Sequence, residues 1–121
     1  PQRLQRRANS LPSRVARLLG PRATDGVHLT EAEALQLYRD FYRDELFVRV
    51  YGSAAAVGTQ QVRGSNYCNL VVSVDERTRT LRVLSHIDNL VKGQAGSALQ
   101  NMNSLFGLPE STGLTRSGMY P

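Results

Sequence analysis

The side chains that could carry nucleophilic or acid–base chemistry are few, because the chain has one cysteine, Cys68, and two histidines, His28 and His86. A thiolate activated by a neighbouring histidine is a common nucleophile for acyl chemistry. Residues 68–75, however, alternate between apolar and polar, which predicts a strand with Cys68 on its apolar face. A buried structural cysteine is therefore favoured over a nucleophile, with His86 expected at the surface or an interface and His28 in a loop. The sequence predicts no assembled catalytic set, and one cysteine with two histidines falls short of a zinc site.

A second unusual feature is the segment HIDNLVKGQAGSALQNMNSLFGLP, residues 86–109. Its apolar residues recur at helical spacing and predict a helix over residues 88–106. The stripe consists of Val91, Ala95, Ala98, Leu99, Met102, Leu105 and Phe106. Gly93, Gly96 and Ser97 stand where a stable helix would carry larger side chains, and each glycine costs about 1 kcal/mol relative to alanine. Because a helix face without side chains lets another backbone or a flat ligand approach closely, we expect this face to be pressed against a neighbour.

The elements that must position these residues follow from capping and alternation patterns. Thr30 and Glu33 form a capping-box pattern, which predicts an amphipathic helix over roughly residues 31–44. Residues 46–51 are typical of a strand. The polar turn DERTRT joins the strand of Cys68 to a third strand, LRVLSHID, and predicts an antiparallel hairpin. The order helix, strand, strand, strand, helix predicts an α+β fold in which an antiparallel or mixed sheet carries helices on one face.

Positive charge is concentrated near the start of the sequence. Six of the fifteen Lys and Arg residues, and none of the ten Asp and Glu residues, fall within residues 1–22, so the net charge of +5 belongs to this stretch. Residues 1–27 are predicted to form a basic, weakly structured arm, and residues 28–121 the folded part. An arginine-rich arm can bind phosphate backbones, but without aromatic residues between the arginines a solvated tail is favoured over nucleic-acid binding.

Length and composition limit the number of domains, the chance of a membrane span and the cellular compartment. A chain of 121 residues makes one domain or a piece of one. No apolar run approaches the roughly 18 residues that a membrane span requires, so a soluble protein is expected. A single cysteine suits a reducing compartment, and we expect a cytoplasmic location.

Three stretches carry a resemblance to a known family: RGSNYC, then DERT, then IDNLVKGQAGSALQNMNSLFGLPESTGL. Together they closely resemble the C-terminal part of the N-acetyl-gamma-glutamyl-phosphate reductases, which are NADP-dependent enzymes of arginine biosynthesis of the aspartate-semialdehyde dehydrogenase and glyceraldehyde-3-phosphate dehydrogenase-like type. The similarity runs from about residue 29 to residue 114. It implies a truncated C-terminal (catalytic or dimerisation) domain, which in this family partners a Rossmann domain and takes part in oligomer contacts.

The resemblance also implies roles for individual residues. The C-terminal helix of the family crosses back onto the Rossmann domain beside the nicotinamide, so Asn89 would bind the nicotinamide amide, and Gly93 and Ser97 would allow close approach of NADP. Arg63 could face the acyl phosphate or the carboxylate of N-acetyl-glutamyl phosphate, although a surface arginine at a sheet edge is equally consistent with the sequence. Lys92 could reach a phosphate, but a solvated helix lysine is favoured.

The sequence departs from the family in the parts that perform the chemistry. It has no Gly-Cys-Tyr-Pro-Thr motif for the nucleophile, no glycine-rich phosphate loop and no catalytic histidine segment, and residues 1–27 fit nothing in the family. We therefore expect an isolated chain that is inactive, whether it is a natural fragment, a degenerate copy or partly the product of another reading frame. The alternative is a non-enzymatic interaction or assembly module that docks on a full-length reductase through its small-residue helix.

Overall fold

The structure is a computed structural model that describes residues 29–53 and 57–119. In chain order its elements are helix α1 (Glu31–Phe41), strand β1 (Val48–Gly52), a 3-10 turn (Thr59–Val62), strands β2 (Cys68–Asp75) and β3 (Thr80–Ile87), a π-helical turn (Val91–Ala95) and helix α2 (Gly96–Leu105). The predicted arm 1–27 and His28 lie outside the described residues. No helix within the described ranges combines the length and the apolar character needed to cross a bilayer.

Helix α1 begins where the capping-box pattern predicts. The Glu33 amide donates to Thr30 Oγ1 at 3.3 Å, and the Thr30 amide donates to the Glu33 carboxylate at 3.0 Å. The helix ends at Phe41, about three residues earlier than expected, because the backbone of Tyr42 leaves the helical region with φ −95° and ψ 11°. The next residues form a turn in which the Glu45 amide donates to the Tyr42 carbonyl at 3.0 Å.

The three strands form one mixed sheet in the order β1-β2-β3. β1 runs parallel to β2, with Val48 opposite Cys68, and β2 runs antiparallel to β3, with Asp75 opposite Thr80. The β2–β3 turn is held by Asp75, whose Oδ1 accepts the Thr78 amide at 3.2 Å. The predicted α+β class, the mixed sheet and the hairpin are confirmed.

The main apolar contact lies between α1 and the sheet face to which Leu70 and Val72 contribute. A Cβ added to Gly52 would lie 3.3 Å from Leu35 Cδ2, so α1 lies directly on β1. The buried apolar residues of the described chain are Ala34, Phe47, Val62, Leu70, Val71, Val72 and Leu114. β3, in contrast, exposes Leu81, Val83, Leu84 and Ile87. The sheet is covered near β1 and open at β3.

The helix predicted over residues 88–106 begins at Val91 and is regular α-helix only from Gly96. The amides of Gly93 and Ala95 donate to carbonyls five residues earlier, at 2.9 and 3.1 Å, so the chain makes a π-helical turn before α2 begins. The Ser97 hydroxyl donates to the Lys92 carbonyl and so satisfies an acceptor at this widened turn. Backbone bonds that span five residues, with one added side-chain bond from Ser97, therefore replace the regular ladder where the sequence pattern alone predicts an α-helix.

Helix α2 turns a polar side toward the rest of the chain. Its buried residues are Gly96, Gln100 and Asn103, whereas Met102 and Leu105 of the predicted stripe, with Phe106 just after the helix, are exposed. The apolar part of the stripe near the end of α2 therefore points away from the described chain.

Candidate functional site

The carboxylate of Asp88 joins two segments that are distant in the sequence. Asp88 Oδ2 accepts the amide of Gly64 at 2.7 Å, and Oδ1 accepts the amides of Leu90 and Val91 at 2.8 and 3.0 Å. We call residues 63–66 the substrate loop and residues 88–93 the cofactor turn, after the predicted roles of Arg63 and Asn89. The Asp88 carboxylate holds the substrate loop against the cofactor turn.

The predicted cofactor residues lie around this turn. Asn89 and Gly93 are exposed, and a Cβ on Gly93 would lie 3.0 Å from Asn89 Oδ1, so the carboxamide of Asn89 lies beside the glycine. Ser97 is half-buried and its hydroxyl already donates to the Lys92 carbonyl. The structure therefore leaves the Asn89 carboxamide accessible beside a residue without a side chain, while Ser97 contributes small size rather than a free hydroxyl.

Arg63, the predicted substrate residue, is exposed and directly precedes the glycine that Asp88 holds. Its carbonyl accepts the amide of Met119 at 2.8 Å, so the backbone is fixed on both sides of the arginine. The hydrogen bond between Gly64 and Asp88 brings the backbone of Arg63 near that of Asn89, although the two are far apart in sequence.

Gly96 corrects one expectation from the sequence. We expected Gly93, Gly96 and Ser97 to form one bare strip for a neighbour outside the chain, but Gly96 is buried, and a Cβ there would overlap Asn66 Oδ1 and would lie 2.8 Å from the Val91 carbonyl oxygen. The close approach that this glycine allows is made by Asn66 of the same chain. Of these three residues, only Gly93 is exposed.

A network of polar side chains fixes α2 to the substrate loop. Asn66 is 1% exposed, and its Nδ2 donates to Gln100 Oε1 at 2.8 Å. The same oxygen accepts from the Lys92 ammonium, and Gln100 Nε2 donates to the carboxylate of Glu110. The Lys92 ammonium also lies 5.5 Å from the centroid of the Phe47 ring. Lys92 is thus half-buried and engaged within the chain, so it is neither a solvated lysine nor an open phosphate ligand.

Cys68 and His86 cannot act as a pair. Cys68 is opposite Ile87 and His86 is opposite Asn69 in the β2–β3 register, so the thiol and the imidazole lie on opposite faces of the sheet. Cys68 is half-buried rather than fully buried as expected, and its sulfur lies 3.3 Å from Ser85 Oγ. In the described ranges, no group of three or more His, Cys, Asp and Glu residues is arranged to hold a metal ion.

The sequence does not predict the residues whose hydrogen bonds hold the substrate loop, the cofactor turn and α2 together. The sequence does not single out Asp88, Asn66 and Gln100, because a single polar residue in a loop or a helix carries no signature of what it will contact. One signal was available: Gly96, Gln100 and Asn103 fall three and four residues apart, which places them on one helix face. Asn103 uses this position to donate to the carbonyls of Glu110 and Thr112 at 3.1 and 3.0 Å.

The Asp88 carboxyl predicts a specific response to acid. Hydrogen bonds from the amides of Gly64, Val91 and Leu90, with the nearby charge of Arg63, lower its pKa from the ordinary value of 3.8 despite partial desolvation. A carboxyl whose pKa is lowered in the folded state stabilises the fold above the unfolded pKa, and this contribution is lost as the pH falls through the folded pKa. We expect the urea midpoint of the wild type to fall more steeply below pH 4 than that of Asp88→Asn.

The control variant is Glu76→Gln, which removes an exposed carboxylate in the β2–β3 turn. This variant should keep the steep wild-type dependence of the urea midpoint on pH. Urea midpoints measured between pH 7 and pH 3 provide the comparison. Parallel curves for wild type and Asp88→Asn would contradict the assignment.

Comparison with known proteins places these features in context. A family described as "Semialdehyde dehydrogenase, dimerisation domain" matches residues 21–89, so the match includes residues 21–27 of the stretch that we expected to fit nothing in the family. N-acetyl-gamma-glutamyl-phosphate reductases are similar to the chain: that of Symbiobacterium thermophilum is 55% identical over 93 residues, which are 76% of this chain and 27% of the relative. Those of Desulforamulus reducens and Geobacter metallireducens are 49% and 48% identical over 78% and 88% of this chain, and 27% and 29% of their own lengths. The chain thus spans less than a third of these curated relatives.

Proposed function

The chain belongs to the semialdehyde dehydrogenase dimerisation-domain family, and on that premise we propose that it is the C-terminal portion of an NADP-dependent N-acetyl-gamma-glutamyl-phosphate reductase. Such an enzyme converts an acyl phosphate to an aldehyde in arginine biosynthesis. The observation that carries the proposal is the 55% identity over three quarters of the chain to a protein of that name. Residues 28–121 would supply the cofactor-facing helix and part of the sheet of the second domain, and residues 1–27 a basic arm.

The surroundings of Asn89 fit one end of the cofactor, the nicotinamide carboxamide. Asn89 is exposed and can both donate and accept hydrogen bonds, and the exposed Gly93 beside it presents no side chain of its own to an approaching ring. NADPH, when bound, supplies the hydride for the reduction. In this chain Asn89 would orient the amide, and Gly93 and Ser97 would admit the ring. The phosphates of the cofactor would bind to another domain.

Arg63 would bind the acyl phosphate or the carboxylate of the substrate. Its guanidinium group is on an exposed residue, and a planar cation is well suited to bidentate binding of phosphate or carboxylate oxygens. The backbone bonds on both sides of Arg63 support this role, since a fixed backbone limits the positions that the guanidinium can occupy.

Two apolar surfaces suggest two partners. Leu90, Leu105 and Phe106 are 72%, 81% and 77% exposed, and they lie at the cofactor turn and at the end of α2, where a Rossmann domain would cover them. A second copy of the chain would cover the exposed edge strand β3, in keeping with a family described as a dimerisation domain. The proposed assembly is therefore a homo-oligomer in which each copy also contacts a cofactor-binding domain.

A chimeric enzyme provides the test of activity. Residues 29–114 would replace the matching segment of the Symbiobacterium thermophilum reductase, and NADPH oxidation would be followed with the acyl phosphate as substrate. We expect the chimera to keep activity within about tenfold of its parent, the isolated chain to show none, and Asn89→Ala in the chimera to lower kcat/KM by about 10- to 100-fold. Turnover by the isolated chain would contradict the expectation that it is inactive. A folded but inactive chimera would contradict the proposed reductase function.

A second function, an assembly module for a full-length reductase, is favoured by the exposure of Leu105 and Phe106. It requires no complete active site, because apolar burial alone can hold a helix on a partner. Co-purification of the 121-residue chain with a full-length reductase from the same cell would support it. A chain that sediments alone in the presence of that reductase would exclude it.

A further inference from the structure

Asp88 is bonded in two directions at the centre of the candidate site. One carboxylate oxygen accepts the Gly64 amide, and the other accepts the two amides that open the cofactor turn, those of Leu90 and Val91. The Asp88 carbonyl also accepts the Gly93 amide at 2.9 Å. Asn89 therefore lies between anchored neighbours, and its backbone has little freedom to change direction.

The substrate loop is equally constrained on its own side. Gly64 has φ +72°, a left-handed conformation that glycine adopts without strain, and this conformation accompanies the bond from its amide to Asp88. A Cβ on Gly64 would lie 2.9 Å from Met119 Cε, so the segment that carries Met119 covers the loop. The Ser65 amide and hydroxyl both donate to the Val62 carbonyl, at 3.0 and 2.7 Å. The Asp88 carboxylate is the contact that bonds the loop directly to the cofactor turn, whereas Asn66 and Lys92 link the two only through Gln100 Oε1.

We propose that Asp88 is a positioning residue that sets the distance between Arg63 and Asn89, and hence between bound substrate and nicotinamide. The role of the two positioned residues rests on the proposed function, whereas the coupling itself rests on the hydrogen bonds of Asp88. Asp88 uses both carboxylate oxygens on backbone amides, so it acts through its neighbours and not on the reacting atoms. Small errors in the alignment of two reactants reduce rates strongly, which gives this coupling a catalytic consequence.

The substitution Asp88→Asn separates the bonds made by the two carboxylate oxygens of the residue. The carboxamide oxygen can still accept the Leu90 and Val91 amides, but the NH₂ group would face the amide of Gly64, donor against donor. In the chimera described above, we expect KM for the acyl phosphate to rise about tenfold and kcat to fall about tenfold, with KM for NADPH within about threefold of the parent value. A merely structural role would lower the amount of active enzyme and leave both KM values unchanged.

A second measurement uses the 121-residue chain itself and needs no activity. Amide hydrogen exchange and ¹H–¹⁵N spectra of Asp88→Asn are expected to show exchange of the Gly64 amide at least about tenfold faster, with shifts of the Arg63 amide and the Asn89 side-chain amide in the same variant. Asp75→Asn is the matched control, because this carboxylate also accepts backbone amides but only within the β2–β3 turn. The control should leave the substrate loop and the cofactor turn unchanged.

The two measurements separate failure of the positioning role from failure of the proposed function. Unchanged kinetics of Asp88→Asn in an active chimera would overturn the positioning role and leave the reductase function in place. If the parent chimera is folded but inactive, the reductase function fails and the spectra decide the role of Asp88. Unchanged Gly64 and Asn89 signals would then overturn it, and coupled changes would support it.

Discussion

Replacing Gly96 with alanine is expected to lower the free energy of unfolding by about 2–3 kcal/mol, the upper part of the range for inserting atoms into a filled site. The new Cβ would overlap Asn66 Oδ1 and lie 2.8 Å from the Val91 carbonyl oxygen. One neighbour is a buried side chain bonded to Gln100, and the other is backbone, so neither can withdraw freely. The gain in helix propensity from Gly to Ala, about 1 kcal/mol, is too small to compensate.

The control for Gly96→Ala is Gly58→Ala. Gly58 has φ −147°, and a Cβ there would approach no closer than 3.7 Å to Gln61 Oε1, so little change is expected. Asn66→Ala combined with Gly96→Ala should recover part of the loss, because it removes one of the two collisions and leaves the one with the Val91 carbonyl. Urea unfolding of the wild type, Gly96→Ala, Gly58→Ala and the double variant measures their free energies of unfolding. A Gly96→Ala variant as stable as wild type would show that Asn66 does not occupy this position.

The parts of the fold that the sequence predicts are those determined by local rules. Thr30 and Glu33 lie three residues apart and cap α1 without help from the rest of the chain. The β2–β3 hairpin follows in the same way, from two alternating runs and a short polar turn in which Asp75 accepts amides two and three residues ahead. Each of these features needs only residues that are close in sequence.

The rest of the architecture depends on contacts between distant residues. The parallel pairing of β1 with β2 needs a crossover through the 3-10 turn, and alternation within each strand carries no information about it. Asp88 gives no local sign that it will accept the Gly64 amide 24 residues away. The sequence predicts a close approach at Gly96, but its partner, Asn66, is set by the tertiary fold. Glycine indicates that space is needed, and only the structure identifies what fills it.

The exposed apolar residues of β3 bear on the proposed homo-oligomer. Leu84 is 58% exposed on one face of β3, and Leu81, Val83 and Ile87, which lie on the opposite face, are each more than a third exposed. β3 is also an edge of the sheet, paired only with β2 among the described strands. An edge strand with exposed apolar residues is a natural surface for association, and burying one leucine contributes about 1.5–3 kcal/mol.

We therefore expect Leu84→Glu to weaken self-association of the chain by about 100-fold, since it removes the apolar contact and places an unpaired charge in a buried surface. Leu46→Glu is the matched control: Leu46 is 57% exposed but lies outside the sheet, so an unspecific effect of a surface charge would appear equally in both variants. Sedimentation equilibrium measures the dissociation constants, and circular dichroism verifies that both variants fold. Equal association of Leu84→Glu and wild type, or equal loss in both variants, would contradict an interface at β3. A selective loss for Leu84→Glu would locate the oligomer contact on the sheet, away from the surface at the end of α2 that we assign to the cofactor domain.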